Sequence, residues 1–130
     1  MDAQVGTILW LTYQKVTIMK QLWHIENSVD CPMVSAVNII GGKWKPIILH
    51  MLSEETMRFG KLKRNIPPVS QKVLTQQLRE LEADGIVQRQ VYAQVPPKVE
   101  YSLTERGLTL KPILQDLYAW GRQIDQSAKV

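Results

Sequence analysis

Two prolines and a serine within "PPVS", residues 67–70, divide the most informative part of this chain. Proline lacks an amide hydrogen and clashes with the preceding turn, so no helix runs through Pro67-Pro68. The apolar spacing of Phe59, Leu62 and Ile66 before the break predicts one short helix. After it, Ser70 is a favoured N-cap, and Leu74, Leu78 and Leu81 recur at helical spacing. Asp84-Gly85 closes that second helix. Two helices joined by so short a break read as a helix-turn-helix.

The flanking segments extend this frame. Pro32 fits the first position of a helix, which places Cys31 or Asp30 at its N-cap. Val34, Val37 and Ile40 mark its stripe, and Gly41-Gly42 ends it. A further helix has Pro46 in its first turn and an apolar face of Trp44, Ile47, Ile48, Met51 and Leu52. "TMRF" is compatible with a short strand. From Ile86 the period changes: Val99, Tyr101 and Leu103 alternate with Lys98, Glu100 and Ser102, the pattern of a half-buried strand. "IVQRQVY" alternates less cleanly, and "AQVPP" suits a hairpin tip. Thr104 is expected to cap one last helix bearing Leu110, Ile113, Leu114, Leu117 and Ile124, with Tyr118 and Trp120 beside them. The predicted fold is mainly α with a small β-hairpin (α+β), a winged helix-turn-helix.

The wet face of the helix after Ser70 carries Gln71, Lys72, Thr75, Gln76 and Arg79. Glutamine pairs with adenine N6 and N7, arginine with guanine O6 and N7, and threonine touches a thymine methyl. Ser70 and the first turns of such a helix point at base edges. A merely solvated face is the plain alternative, since Gln, Lys and Arg are also good helix formers. Charge distribution argues against it. Residues 43–98 hold ten Lys and Arg against five acids, whereas the rest of the chain holds six against seven. Arg58, Lys61, Lys63 and Arg64 cluster just before the helix, and Arg89 and Lys98 flank the hairpin, where phosphates of double-stranded DNA would lie.

Other classes fit poorly. "IGGKW" lacks P-loop spacing, and His24 and His50 stand apart from any ligand set, so no catalytic residue, metal or cofactor is expected. The net charge of +4 is compatible with an acidic partner. One cysteine excludes an intramolecular disulfide, no apolar run spans a bilayer, and no signal peptide is recognised, so a soluble cytoplasmic protein is expected. Residues 1–28 are read as an N-terminal extension, either mobile or a dimer arm, and Met19 would itself make a start; residues 29–130 are read as the DNA-binding domain. A winged helix used for protein interaction, with no operator of its own, is the competing function.

"CP", "IIGGKWKPIILHML", "RFGKLKRNIPPVSQKVLTQQLRELEADGIVQRQ" and "VPPKVEYSLTERG" together resemble the HxlR-type winged-helix transcriptional regulators of bacteria, from Cys31 to about Arg122. The resemblance implies a homodimer, a repressor by expectation, bound to an inverted-repeat operator. It places dimer contacts on the N- and C-terminal helices, which here offer Val34, Ile113, Leu114, Leu117, Trp120 and Ile124. Several members sense electrophiles or oxidants at the cysteine that Cys31 matches. A helix N-terminus favours thiolate, which gives that role a physical basis; an unreactive cap is the alternative.

Overall fold

The computed structural model describes residues 31–128. In chain order these form α1 (Pro32–Ile40), α2 (Lys45–Glu54), β1 (Met57–Arg58), α3 (Phe59–Asn65), α4 (Gln71–Ala83), β2 (Val87–Tyr92), β3 (Lys98–Leu103), α5 (Glu105–Leu108) and α6 (Lys111–Ala128). The chain divides into two compact units at Asn38/Ile39. The reading of residues 1–28 falls outside the described residues.

In the first unit, α1 begins at Pro32 as expected, and the Cys31 carbonyl accepts from the amides of Val34 (3.0 Å) and Ser35 (3.4 Å). Cys31 is half-buried, Val34 is half-buried, and Met33 and Val37 are exposed.

The second unit is the winged helix. Its core joins Ile48, Leu49 and Leu52 of α2, Leu62 of α3, Ile66 and Val69 of the break, Leu74, Leu78 and Leu81 of α4, Val87 and Leu103 of the strands, and Leu114 of α6. The break at Pro67-Pro68 is held by the Val69 amide donating to the Ile66 carbonyl at 3.1 Å. The α2 face is rotated from expectation. Its buried residues are Lys45, Ile48, Leu49, Leu52 and Ser53, while Trp44, Ile47 and Met51 are only half-buried. The i, i+3, i+4 pattern is shifted by one residue because two polar ends are satisfied inside: Lys45 pairs with Glu80 at 2.6 Å, and the Ser53 hydroxyl donates to the His50 carbonyl at 2.6 Å.

The hairpin is part of a three-stranded antiparallel sheet, order β1-β3-β2. Met57 faces Tyr101, and Val87 to Tyr92 run opposite Leu103 to Lys98. β3 is the middle strand, so its polar residues Lys98, Glu100 and Ser102 are half-buried along with Val99 and Tyr101, and alternation there is blunted. The single last helix expected after Thr104 is two helices. Thr104 caps only α5, accepting from the Gly107 amide at 3.0 Å, and α6 starts afresh at Lys111-Pro112. A β-carbon at Gly107 would sit 2.2 Å from the Ile86 carbonyl oxygen, so glycine alone lets α5 lie on the start of the wing. On α6, Leu114 is 3% exposed and belongs to the chain's own core, the intramolecular role that is the alternative to a dimer contact for Leu114, Leu117 and Trp120. The Tyr118 ring stacks on His50 of α2 at 4.8 Å between centroids.

Candidate nucleic-acid interface

The candidate interface is organised around α4. Ser70 begins it: its hydroxyl oxygen accepts from the Val73 amide at 3.1 Å, satisfying one donor that the first turn leaves free. The end is equally defined. The Gly85 amide donates to Glu82 and the Ile86 amide to Leu81, both at 3.0 Å, and Gly85 sits at φ +74°, where a β-carbon is unfavourable. Between these caps Leu74, Leu78 and Leu81 are buried, so the opposite face must point outward.

Among the described residues nothing covers that face. Gln71, Lys72, Gln76 and Arg79 are exposed and, with Thr75, Glu80 and Ala83, line one open groove. Thr75 is half-buried, and its hydroxyl donates to the Gln71 carbonyl at 2.8 Å. Its hydrogen is therefore committed to the helix, which leaves its methyl as the group offered to a base. Ser70 has spent a lone pair on the cap and keeps its hydroxyl hydrogen. A second recess, between α4 and the wing, is lined by Thr75, Leu78, Arg79, Glu82, Arg89 and Tyr101. Burial raises the Tyr101 phenol above its ordinary 10.0 and Glu82 adds to this, while Arg89 and Arg79 oppose it.

The basic residues differ in what already holds them. Lys61 is paired with Glu55, and Arg89 Nε lies 4.0 Å from Glu82. Lys98 Nζ contacts Glu100 at 2.8 Å and sits over the Tyr92 ring at 4.9 Å. Lys63 Nζ donates to the Pro67 carbonyl at 3.1 Å. Lys98 first, and Arg58 across the β1–β3 pair in smaller measure, hold the Glu100 carboxyl below its ordinary 4.5. Arg58, Arg64, Lys72 and Arg79 form no salt bridge among the described residues. β1–α3 thus carries Arg58, Lys61, Lys63 and Arg64, α4 carries the amides and Arg79, and the hairpin carries Arg89 and Lys98. Sequence reasoning missed Lys45 and Glu80. The i, i+4 spacing of Gln76 and Glu80 was a usable signal; nothing in the sequence ties Lys45 to either.

The sequence profile of the HxlR-like helix-turn-helix family matches residues 39–129. The chain belongs to that family. Its relatives are transcriptional regulators and it is no enzyme. It is 53% identical over 95 residues to the HTH-type transcriptional regulator YybR of Bacillus subtilis (strain 168), covering 73% of this chain and 76% of YybR. Among solved structures it is similar to the redox regulator HypR in its oxidised form (53% identity, TM-score 0.70, 72% of this chain and 96% of that one). It is also similar to the reduced form of the transcriptional regulator YodB from B. subtilis (41% identity, TM-score 0.63, 72% and 92%). The HxlR-like match begins at Ile39 and so excludes Cys31. No helix among the described residues is long and apolar enough to cross a membrane.

Proposed function

We propose that this HxlR-like protein is a cytoplasmic, homodimeric repressor that reads an inverted-repeat DNA operator with α4. The bare face of Gln71, Lys72, Thr75, Gln76 and Arg79, backed by three buried leucines and fixed at both ends, is the observation that carries this reading. Ser70 and the first turns of α4 enter the major groove; Arg58, Lys61, Lys63 and Arg64 meet phosphates before them, and Arg89 and Lys98 do so from the wing. Lys61 and Lys98 exchange a carboxylate for a phosphate on binding. The exposed side chains of Ile113, Leu117, Tyr118, Trp120 and Ile124 on α6 support a second copy as partner, with Val34 on α1 a further contact. Two-fold symmetry then sets half-sites about 34–36 Å apart, or a multiple of that.

The test is titration of the purified chain with its own promoter fragment and with random duplex across a salt series. Much tighter binding to one fragment, with affinity falling steeply as salt rises, supports the reading. Equal, weak binding to all duplexes overturns it in favour of a protein-interaction module.

Cys31 supplies the proposed signal. It is half-buried at the start of α1, and the redox character of HypR supports an oxidant or electrophile as effector. With one cysteine per chain, oxidation leads to an intersubunit disulfide, a mixed disulfide with a small thiol, or a sulfenic acid. Diamide is expected to change operator affinity of the parent and not of Cys31→Ser; the same change in both removes the sensor.

A further inference from the structure

A buried lysine is costly unless paired, and Lys45 is 8% exposed at the first position of α2. Its Nζ lies 2.6 Å from Glu80 Oε2. Glu80 belongs to α4, one helical turn beyond Gln76, and both line the open groove. An acid on a face meant for DNA is otherwise a liability, since it repels phosphate. Here it is neutralised from beneath and anchored by a side chain that cannot itself reach solvent freely. The Lys45 hydrogen bond, and then its charge, hold the Glu80 carboxyl below its ordinary 4.5 against desolvation, with a smaller lowering from the Gln76 amide.

We propose that the Lys45–Glu80 pair positions the side-chain amide of Gln76 and thereby sets the base that α4 prefers at that point. The inference rests on the reading that α4 faces DNA. On this inference Oε1, left over when Lys45 takes Oε2, is the acceptor for one hydrogen of the Gln76 amide nitrogen, which stands four residues earlier on the same helix and lines the same groove. An ionised carboxylate only accepts, so it selects the NH2 end of the amide and not the oxygen. That pairing would leave the Gln76 oxygen and the second N–H to the exposed side of the residue. That acceptor–donor pair matches adenine, whose N6 donates and whose N7 accepts. A glutamine without this anchor flips freely and offers either order. Lys45 and Glu80 are thus positioning residues, acting through Gln76.

The experiment uses the full chain. Bound sequences are selected from a random duplex pool, and the base pair relaxed by Gln76→Ala is identified. Four duplexes differing only there are then titrated with Lys45→Met, Glu80→Gln and the double variant Gln76→Ala/Glu80→Gln. The expected result is a loss of about five- to tenfold in preference for adenine at that pair in each single variant, with preference elsewhere intact. The double variant relaxes no further than Gln76→Ala alone. If Lys45→Met does not fold, as judged by its thermal melt, Glu80→Gln at its half-exposed site carries the test. Unchanged preference at that pair, an equal loss at every pair, or additive losses in the double variant overturn the inference and leave the DNA-reading function standing. A parent that selects no sequence overturns both.

Discussion

At the scale of single residues, one burial explains several properties. Lys45 occupies a place that the apolar pattern of α2 assigns to its neighbour Trp44, and it does so because Glu80 meets it. The consequence for stability has a definite sign. Glu80 has a folded-state pKa below its ordinary 4.5, so folding favours the ionised form. The stabilisation is present above about pH 4.5 and is lost as pH falls through the lowered folded value. Urea unfolding from about pH 6 to about pH 3 should show stability falling in the parent and a shallower fall in Lys45→Met, where Glu80 loses its partner. Equal slopes would contradict the coupling. Glu100, lowered chiefly by Lys98, supplies the residual slope in both. None of this was legible in the sequence, because the partners lie on different helices and Lys45 sits among residues that look like a surface turn.

At the scale of elements, legibility followed how local the determinants are. α4 was readable because cap, leucine stripe and terminal glycine all lie within its own span: Ser70, Leu74, Leu78, Leu81 and Gly85 stand as expected. The first turn of α2, marked by Pro46, and the break at Pro67-Pro68 were readable for the same reason. The C-terminal region reads as one helix in the sequence, and forms two, because the cause of its division is tertiary. Gly107 is pressed against the Ile86 carbonyl, and the Thr104 hydroxyl also donates to the Gly85 carbonyl at 2.6 Å, so α5 is bound to the loop that ends α4. Pro112 beside the first residue of α6 was the local sign of a new start. Gly107→Ala should therefore destabilise the fold by about 1–3 kcal/mol, from the overlap its β-carbon makes with backbone. Thermal unfolding measures it, and a neutral result would contradict the close approach. β3 was legible as a strand but not as a middle strand, since pairing with two residues of β1 leaves little trace in a sequence.

At the scale of the whole molecule, the apolar residues of α6 divide between two duties. Leu114 faces inward, whereas Trp120 is 62% exposed. Leu114→Ala is expected to cost about 2–5 kcal/mol of folding stability. Trp120→Ala should change the monomer by no more than about 0.5 kcal/mol, as an exposed site does. On the proposed dimer it should instead shift sedimentation toward the monomer at low concentration; a large loss of folding stability would contradict this division. The segregation of positive charge into residues 43–98 was visible from the outset, but its meaning depends on which charges are free. The central claim is that α4 reads base edges while α3 grips phosphate. Equilibrium titration of operator and mismatched duplexes with Arg79→Ala and Lys61→Ala tests it most directly. The account predicts that Arg79→Ala loses about 1–3 kcal/mol against particular base pairs only, while Lys61→Ala weakens every duplex alike and reduces the salt slope by about one. Uniform losses from both substitutions, or none from either, would contradict it.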